Sequence, residues 1–341
     1  MRYRHLGDSG LQVSELCMGT MTFGHKFGVI GVVGQEEADA LVRAALDAGV
    51  NFFDSADVYS EGESEQILGK ALKNAGAPRE SVVIATKVRS PMSEGARQGR
   101  DVNNVGLSRK HVIEGCNASL RRLGVDYIDL YQIHGLDPVT PIEETLDAMD
   151  ELVRQGKVLY TGCSNIASRH IMRSLWISDR RGLARFTSLQ AYYSLVARDL
   201  ELELLPLCRE EGLGVMVWSP LSGGYLSGKY RSGQPKTGRR NTFDFPPISP
   251  DAPKALSVLE EVASAHGTDM ARVALAWLLK REGISSVLIG ARNVEQLQDN
   301  LAAGDIELST EEVEGLSAPT EPAPIYPNWM IERQAGMTPA R

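Results

Sequence analysis

Four side chains at separated points of the chain have complementary chemistry: the carboxyl of Asp54, the phenol of Tyr59, the ammonium of Lys87 and the imidazole of His134. A phenol with a pKa near 10 exchanges its proton poorly at neutral pH. An adjacent ammonium favours phenolate and lowers that value, and a carboxylate behind it fixes the ammonium in place. Lys87 is therefore expected to tune Tyr59, with Asp54 holding Lys87. A neutral His134 would donate a hydrogen bond to a substrate oxygen and orient it, and a positioned acid of this kind contributes ~10²–10⁴-fold. The set offers no obvious nucleophile and no metal cage. It suits protonation of a carbonyl oxygen as charge develops there, and it requires a hydride donor. Singly, an Asp or Lys at a strand end is more often a cap or surface charge, and a His in an apolar run is more often structural. The case rests on their convergence.

Convergence needs elements that deliver them to one place. Strand-like runs are SELCMGT (14–20), VNFFD (50–54), SVVIATK (81–87), YIDLYQIH (127–134), VLYTGCS (158–164), FTSLQ (186–190), GVMVWS (214–219) and SVLIG (286–290). Segments of helical period separate them. Val112, Ile113, Cys116, Leu120 and Leu123 share one face, with Ser108 as N-cap; Ile142, Leu146, Met149, Leu152 and Val153 share another. Gly49, Gly124, Gly156 and Gly212 stand where helices stop. Strands alternating with helices imply a parallel sheet, and eight such units imply an α/β fold closed as a (β/α)8 TIM barrel. A doubly wound sheet would want G-x-G-x-x-G after its first strand, and Gly28, Gly31 and Gly34 are spaced differently. The segments 3–6 and 11–13 read as an N-terminal hairpin. Extra helices are expected after strand seven (253–266, before 270–281) and at the C-terminus, where 317–341 forms a Pro-rich tail of a single domain spanning 1–341.

Reactive groups of such a barrel lie at the C-terminal ends of strands. Asp54, Lys87, His134, Ser164, Gln190 and Ser219 all fall there, with Asn165 beside Ser164 and Tyr59 five residues after Asp54. The composition narrows the partners. With 43% hydrophobic residues the chain can bury a large core, and a net charge of −8 argues against nucleic acid or an anionic membrane surface. No secretory h-region and no run of ~18 apolar residues is present, so a soluble, cytoplasmic protein is expected. Its partner is expected to be a small molecule, and the oligomeric state stays open, monomer being slightly favoured. Cys17, Cys116, Cys163 and Cys208 are scattered, which suits reduced, buried thiols.

The segment SGGYLSGKY (222–230) fits G-x-x-x-x-G-K from Gly223 to Lys229, downstream of an apolar run. A nucleoside triphosphate loop needs Ser or Thr after the Lys. Tyr230 stands there instead.

NFFDSADVYSEGESEQILGKAL, IATKV, GLSRKHVIEGCNASLRRLGVDYIDLYQIH, GKVLYTGCSN and SSVLIGARNVEQLQDN, in that order, resemble the aldo-keto reductase superfamily, over about 4–316. The closest flavour is that of bacterial reductases and the related potassium-channel β subunits. The resemblance implies a barrel that binds NADP(H) without a Rossmann fold, and a tetrad at Asp54, Tyr59, Lys87 and His134. It implies that Thr20 and Met21 lie near the nicotinamide ribose, next to Asp54, and that Ser164, Asn165 and Gln190 hold the carboxamide. A stacking aromatic is implied at Tyr192 or Trp218. Ser219, Leu221, Gly223, Lys229 and Arg239 would follow the pyrophosphate, so 219–230 becomes a phosphate loop for a dinucleotide, with no magnesium. Gly290, Arg292, Gln296, Asp299 and Asn300 would surround the adenosine, Arg292 meeting a 2′-phosphate bidentately. The implied activity is reduction of an aldehyde or ketone. The alternative is an NADP(H)-binding regulatory subunit with little turnover; the channel subunits depart from His where this chain keeps His134. The sequence GLDP after His134 and GVIGVVGQ (28–35) depart from the relatives and leave the substrate open.

Overall fold

In a computed structural model, which describes residues 1–28, 30–230, 240, 244–335 and 337, the strand-like runs become two sheets. The hairpin strands β1 (Tyr3–His5) and β2 (Gln12–Ser14) pair antiparallel. The other eight are β3 (Leu16–Gly19), β4 (Phe52–Asp54), β5 (Val83–Val88), β6 (Ile128–Ile133), β7 (Val158–Ser164), β8 (Phe186–Tyr192), β9 (Gly214–Trp218) and β10 (Ile284–Ile289). They close in chain order, with β10 parallel to β3. The expected eight-stranded barrel is thus the fold. Element ends differ by a residue or two: Ser14 belongs to the hairpin, and His134 falls just beyond β6.

Successive strand residues point to opposite faces, and each face has its own apolar cluster. Cys17, Phe52, Ala85, Leu130, Met216 and Leu288 pack together with Leu6 and Val13 of the hairpin region. This is the barrel interior, plugged at its N-terminal end. The plug sits close: a Cβ on Gly214 would lie 2.4 Å from the Gly7 nitrogen. The same alternation carries inward from Phe52 to Asp54, from Ala85 to Lys87 and from Leu130 to Gln132. Polar side chains therefore cap an apolar floor.

The outward residues meet the helices. Val112, Cys116 and Leu123 of the helix Arg109–Leu123 are buried, as are Leu146, Met149 and Leu152 of the helix Ile142–Arg154. Each fully buried aliphatic of this layer contributes about 1.5–3 kcal/mol. Ser108 accepts from the His111 N–H as N-cap, and Gly124 ends that helix at φ 68°. The extra helix after β9 spans Ala252–Ala265 and precedes Met270–Leu279. The tail is tied down by Thr320, whose hydroxyl donates to Leu195 O at 2.6 Å, and carries the helix Asn328–Ala335. Among the described residues no helix is long and apolar enough to cross a membrane.

Candidate active site

The inward ends of β4, β5, β6 and β8 meet in one buried network. Lys87 Nζ lies 2.6 Å from Asp54 Oδ2 and 2.7 Å from the Ser55 carbonyl, and both side chains are essentially inaccessible. The other Asp54 oxygen accepts from Gln190 Nε2 at 2.9 Å and Gln132 Nε2 at 3.2 Å. Gln132 fits because Gly162 faces it from β7; a Cβ there would press Ser188 Oγ at 2.6 Å and Gln132 Cγ at 3.2 Å. Burial lowers the Lys87 pKa, but Asp54 and Tyr59 outweigh it and hold the ammonium above its ordinary value. A buried pair of this kind persists only with good geometry and further hydrogen bonds, and both are present.

Tyr59 sits at the start of a turn in which Ser60 and Glu61 adopt left-handed backbone at φ 48° and 58° before Gly62 at φ 89°. Non-glycine residues in that region cost of order 1–3 kcal/mol each. Ser60 is held by its hydroxyl, which donates to Phe23 O at 3.0 Å. The turn brings the phenol within 3.5 Å of Lys87 Nζ, with Phe27 on its other flank at 6.0 Å between ring centroids. Burial pushes the Tyr59 phenol above its ordinary value; Lys87 pulls it down and Asp54 pushes it up. Lys87 thus acts on Tyr59 in the expected direction, while desolvation sets the net one.

His134 stands edge-on to Tyr59, with centroids 5.8 Å apart and planes at 76°. Burial, then the charges of Lys87 and Arg89, lower its pKa to about 3, so the imidazole is neutral at physiological pH. Its Nδ1 has no hydrogen-bond partner. Arg89 also steadies the following loop by donating from Nε to Leu136 O at 2.9 Å.

Around this floor, Asn165 donates to Ser164 Oγ (2.9 Å) and His134 O (3.2 Å), and accepts from Trp218 Nε1 (3.2 Å). The Trp218 ring stacks near Tyr192, with centroids 4.9 Å apart, and near Phe245 at 6.0 Å. The Tyr192 hydroxyl is engaged with Ser222 Oγ at 3.0 Å and Pro247 O at 2.9 Å. The next residue, Tyr193, turns away and is buried, with Glu201 at 2.6 Å. Thr20 is fully buried, its backbone N–H donating to Asp54 O at 2.9 Å and its hydroxyl 2.8 Å from Ser64 Oγ, so it supports the floor rather than facing the mouth. Met21 is partly exposed beside it.

Beyond β9 the chain turns through left-handed Ser219 (φ 53°), Ser222 (49°), Gly223 (67°), Gly224 (89°) and Gly228 (78°). Ser219 Oγ accepts from Gly223 N at 3.3 Å, and Leu221 packs on the core. The segment Ser222–Ser227 is a 3-10 helix ending in a turn, whereas a triphosphate loop opens an α-helix at its Gly-Lys. Lys229 is exposed; partial burial and the nearby Arg292 lower its pKa. Arg292 and Gln296 are exposed, the Gln296 side chain accepting from the Arg292 backbone N–H at 3.0 Å. Asn300 donates to the exposed Gly290 carbonyl at 3.3 Å, while Asp299 is paired with Arg272 at 2.6 Å. Arg239 lies outside the described residues. Its neighbour Arg240 braces the loop by donating to Pro246 O at 2.8 Å and Ser222 O at 3.2 Å.

A family model described as the aldo/keto reductase family matches residues 15–319. The chain belongs to this family. Among related aldo/keto reductases and allied proteins, the versiconal hemiacetal acetate reductase of Aspergillus parasiticus is 37% identical over 96% of this chain and 99% of its own length. The uncharacterized oxidoreductase YrpG of Bacillus subtilis is 38% identical over 91% and 93%. A probable voltage-gated potassium channel subunit beta of Oryza sativa subsp. japonica is 36% identical over 92% and 94%. Family membership makes the chain an oxidoreductase, and the aldo/keto reductases generally use a nicotinamide dinucleotide. Sequence reasoning missed Gln132 at the floor of this aldo/keto reductase. The available signal was its parity with His134, two residues on along one strand.

Proposed function

We propose that the protein is an NADPH-dependent carbonyl reductase. The observation that carries this reading is the buried Asp54–Lys87 pair set 3.5 Å beneath the Tyr59 hydroxyl, beside a neutral His134. The residues present fit a dinucleotide. Trp218 is a flat aromatic fixed to Asn165, the loop after β9 turns through left-handed backbone, and the cation Lys229 stands near enough to Arg292 for that charge to add to burial in lowering its pKa. Trp218 would take the nicotinamide face, since the Tyr192 hydroxyl is engaged behind it. Asn165 and Ser164 would orient the carboxamide. Gln190 donates one amide N–H to Asp54 and would offer the carboxamide its oxygen and its second N–H. Lys229 and Arg292 would receive phosphate.

When bound, the reduced nicotinamide supplies a hydride. Tyr59 holds its proton at neutral pH, as a phenol of pKa near 10 does and burial reinforces, and releases it to the carbonyl oxygen as negative charge develops there. Lys87 stabilises the phenolate left behind, and Asp54 keeps Lys87 charged and in register. Neutral His134 positions the same oxygen. The test is Tyr59→Phe, assayed for NADPH oxidation across aldehydes and ketones, with cofactor binding followed by fluorescence. Carbonyl reduction should fall at least 10²-fold, the lower end of general-acid contributions, with NADPH affinity retained; unchanged turnover sinks the mechanism. A second reading, an NADP(H)-binding regulatory subunit, is favoured by the name of the Oryza relative. Turnover by no tested carbonyl, with tight NADPH binding, would select it.

A further inference from the structure

The strand that supplies Lys87 brings a second cation to the mouth. Val88 faces the helices: a Cβ on Gly115 of the helix Arg109–Leu123 would lie 2.9 Å from its Cγ2. The alternation that turns Lys87 inward therefore turns Arg89 to the same side. Val88 pairs in register with Ile133, and the His134 N–H donates to Val88 O at 3.0 Å, which sets Arg89 beside His134. Its stem lies against the next residue, since a Cβ on Gly135 would sit 3.5 Å from Arg89 Cδ and 3.9 Å from Asn165 O. Its Nε donates to Leu136 O at 2.9 Å. Arg89 thus stands at the edge of the mouth against the segment 134–136, close enough that its charge adds to burial and Lys87 in keeping the His134 ring neutral.

The stem is anchored and the fork is not. With Nε committed, two terminal nitrogens remain, and among the described residues they make neither a hydrogen bond nor an ion pair. Arg89 is only partly buried, and both nitrogens keep accessible surface. Other shielded arginines are paired: Arg79 with Asp129 at 2.5 Å, Arg122 with Glu65 at 2.6 Å and Arg198 with Glu201 at 2.6 Å. The acid of the adjoining loop, Asp137, is committed to the Leu107 and Val139 N–H groups and the Thr140 hydroxyl, at 2.8, 2.9 and 2.7 Å. A guanidinium is charged at every physiological pH, and its two terminal donors form a planar fork that matches a carboxylate or phosphate. This fork is remote from the loop that carries Lys229. In the closed barrel β5 stands four strands from β9 in either direction, so the two cations belong to opposite sides of the mouth.

We propose that Arg89 selects the substrate: a carbonyl compound bearing an anionic group, carboxylate or phosphate, which docks on the Arg89 fork while its carbonyl oxygen meets Tyr59 and His134. This inference rests on the carbonyl-reductase reading and names the substrate class within it. The reaction is otherwise the one described above. The carbonyl carbon gains the hydride and is reduced, the nicotinamide is oxidised, the oxygen gains the Tyr59 proton, and the anion leaves as it entered.

The experiment compares kcat/KM, with NADPH, for 4-oxobutanoate against its uncharged methyl ester and for glyceraldehyde 3-phosphate against glyceraldehyde. A preference of at least about tenfold for the anion, the worth of a charge-assisted hydrogen bond, is expected in one pair, and that pair tells carboxylate from phosphate. Arg89→Met keeps a stem against Gly135 and removes the fork, so the preference should vanish, through KM rather than kcat. Loss of the bond to Leu136 acts on both members of a pair, and the ratio isolates the charge. Arg89→Lys keeps the charge without the fork and should restore part of the preference. Calorimetric titration of the full chain with succinate and glycerol 3-phosphate reads the same contact without turnover. Reduction of the neutral carbonyls with no preference for either anion, or a preference that survives Arg89→Met, overturns the inference and leaves the carbonyl-reductase reading standing. If no carbonyl is reduced, that reading fails and the titration decides: anion binding weakened in Arg89→Met upholds an anion site at Arg89, and no such binding overturns it.

Discussion

At the barrel floor, Asp54 is 1% exposed and receives donors from Lys87, Gln132 and Gln190. At the rim, Lys229 and Arg292 stand exposed, and the loop leading to Lys229 runs through five left-handed residues. The floor is set before any ligand arrives, because burying its charges is tolerable only if each is paired. The rim sets Lys229 near Arg292 at the solvent-exposed edge, where a charge does not have to be buried. Chemistry and docking are thereby separated: the first is fixed by strands, the second by loops and charge.

Breaking the floor should cost most. Lys87→Met leaves the Asp54 carboxylate buried without its ammonium, and loss of one partner of a buried pair costs about 3–5 kcal/mol. Urea denaturation should register that loss together with collapse of turnover. A midpoint equal to wild type would mean that the floor is wetter than it looks, and the contrast with the rim would fail.

The rim should respond in binding rather than stability. A hydrogen bond to a charged group is worth about 1.5–3 kcal/mol, so Arg292→Ala should raise the KM for NADPH by roughly 10–100-fold. The KM for NADH and the melting temperature should barely move. Equal effects on both cofactors would remove Arg292 from the 2′-phosphate.

The smallest effect sharpens the floor itself. Gln132→Met removes one donor to Asp54 together with the unpartnered Gln132 Oε1, at similar volume. A stability change within about 0.5–1.5 kcal/mol and a severalfold fall in kcat, with KM for cofactor unchanged, are expected. A larger loss than in Lys87→Met would place the main support of Asp54 on the amide instead.

Much of this was legible in the chain. The eight strand runs, the Ser108 cap and the Gly124 stop are local signals, and the structure places them within a residue or two. Convergence of Asp54, Lys87 and His134 followed once eight units implied closure. Less legible were contacts between strands distant in sequence. Gln132 read as one more residue of an apolar run, and its role depends on Gly162 making room across β7. Thr20 reads as one more residue of a strand end, and only the fold shows it hydrogen-bonded to Ser64 and the Asp54 carbonyl. The net direction of the Tyr59 shift was not legible, because desolvation cannot be summed from a list of neighbouring charges.

The sequence by itself determined the barrel, the family and the identity of the four groups at its mouth, since periodicity, caps and motif order are local properties. The tertiary structure decided which of Tyr192 and Trp218 has its polar end engaged with the loop, that Gln190 donates to Asp54, and that the Asp57 carboxyl is buried. Those outcomes depend on close packing and burial, and only the closed barrel sets which side chains lose water together.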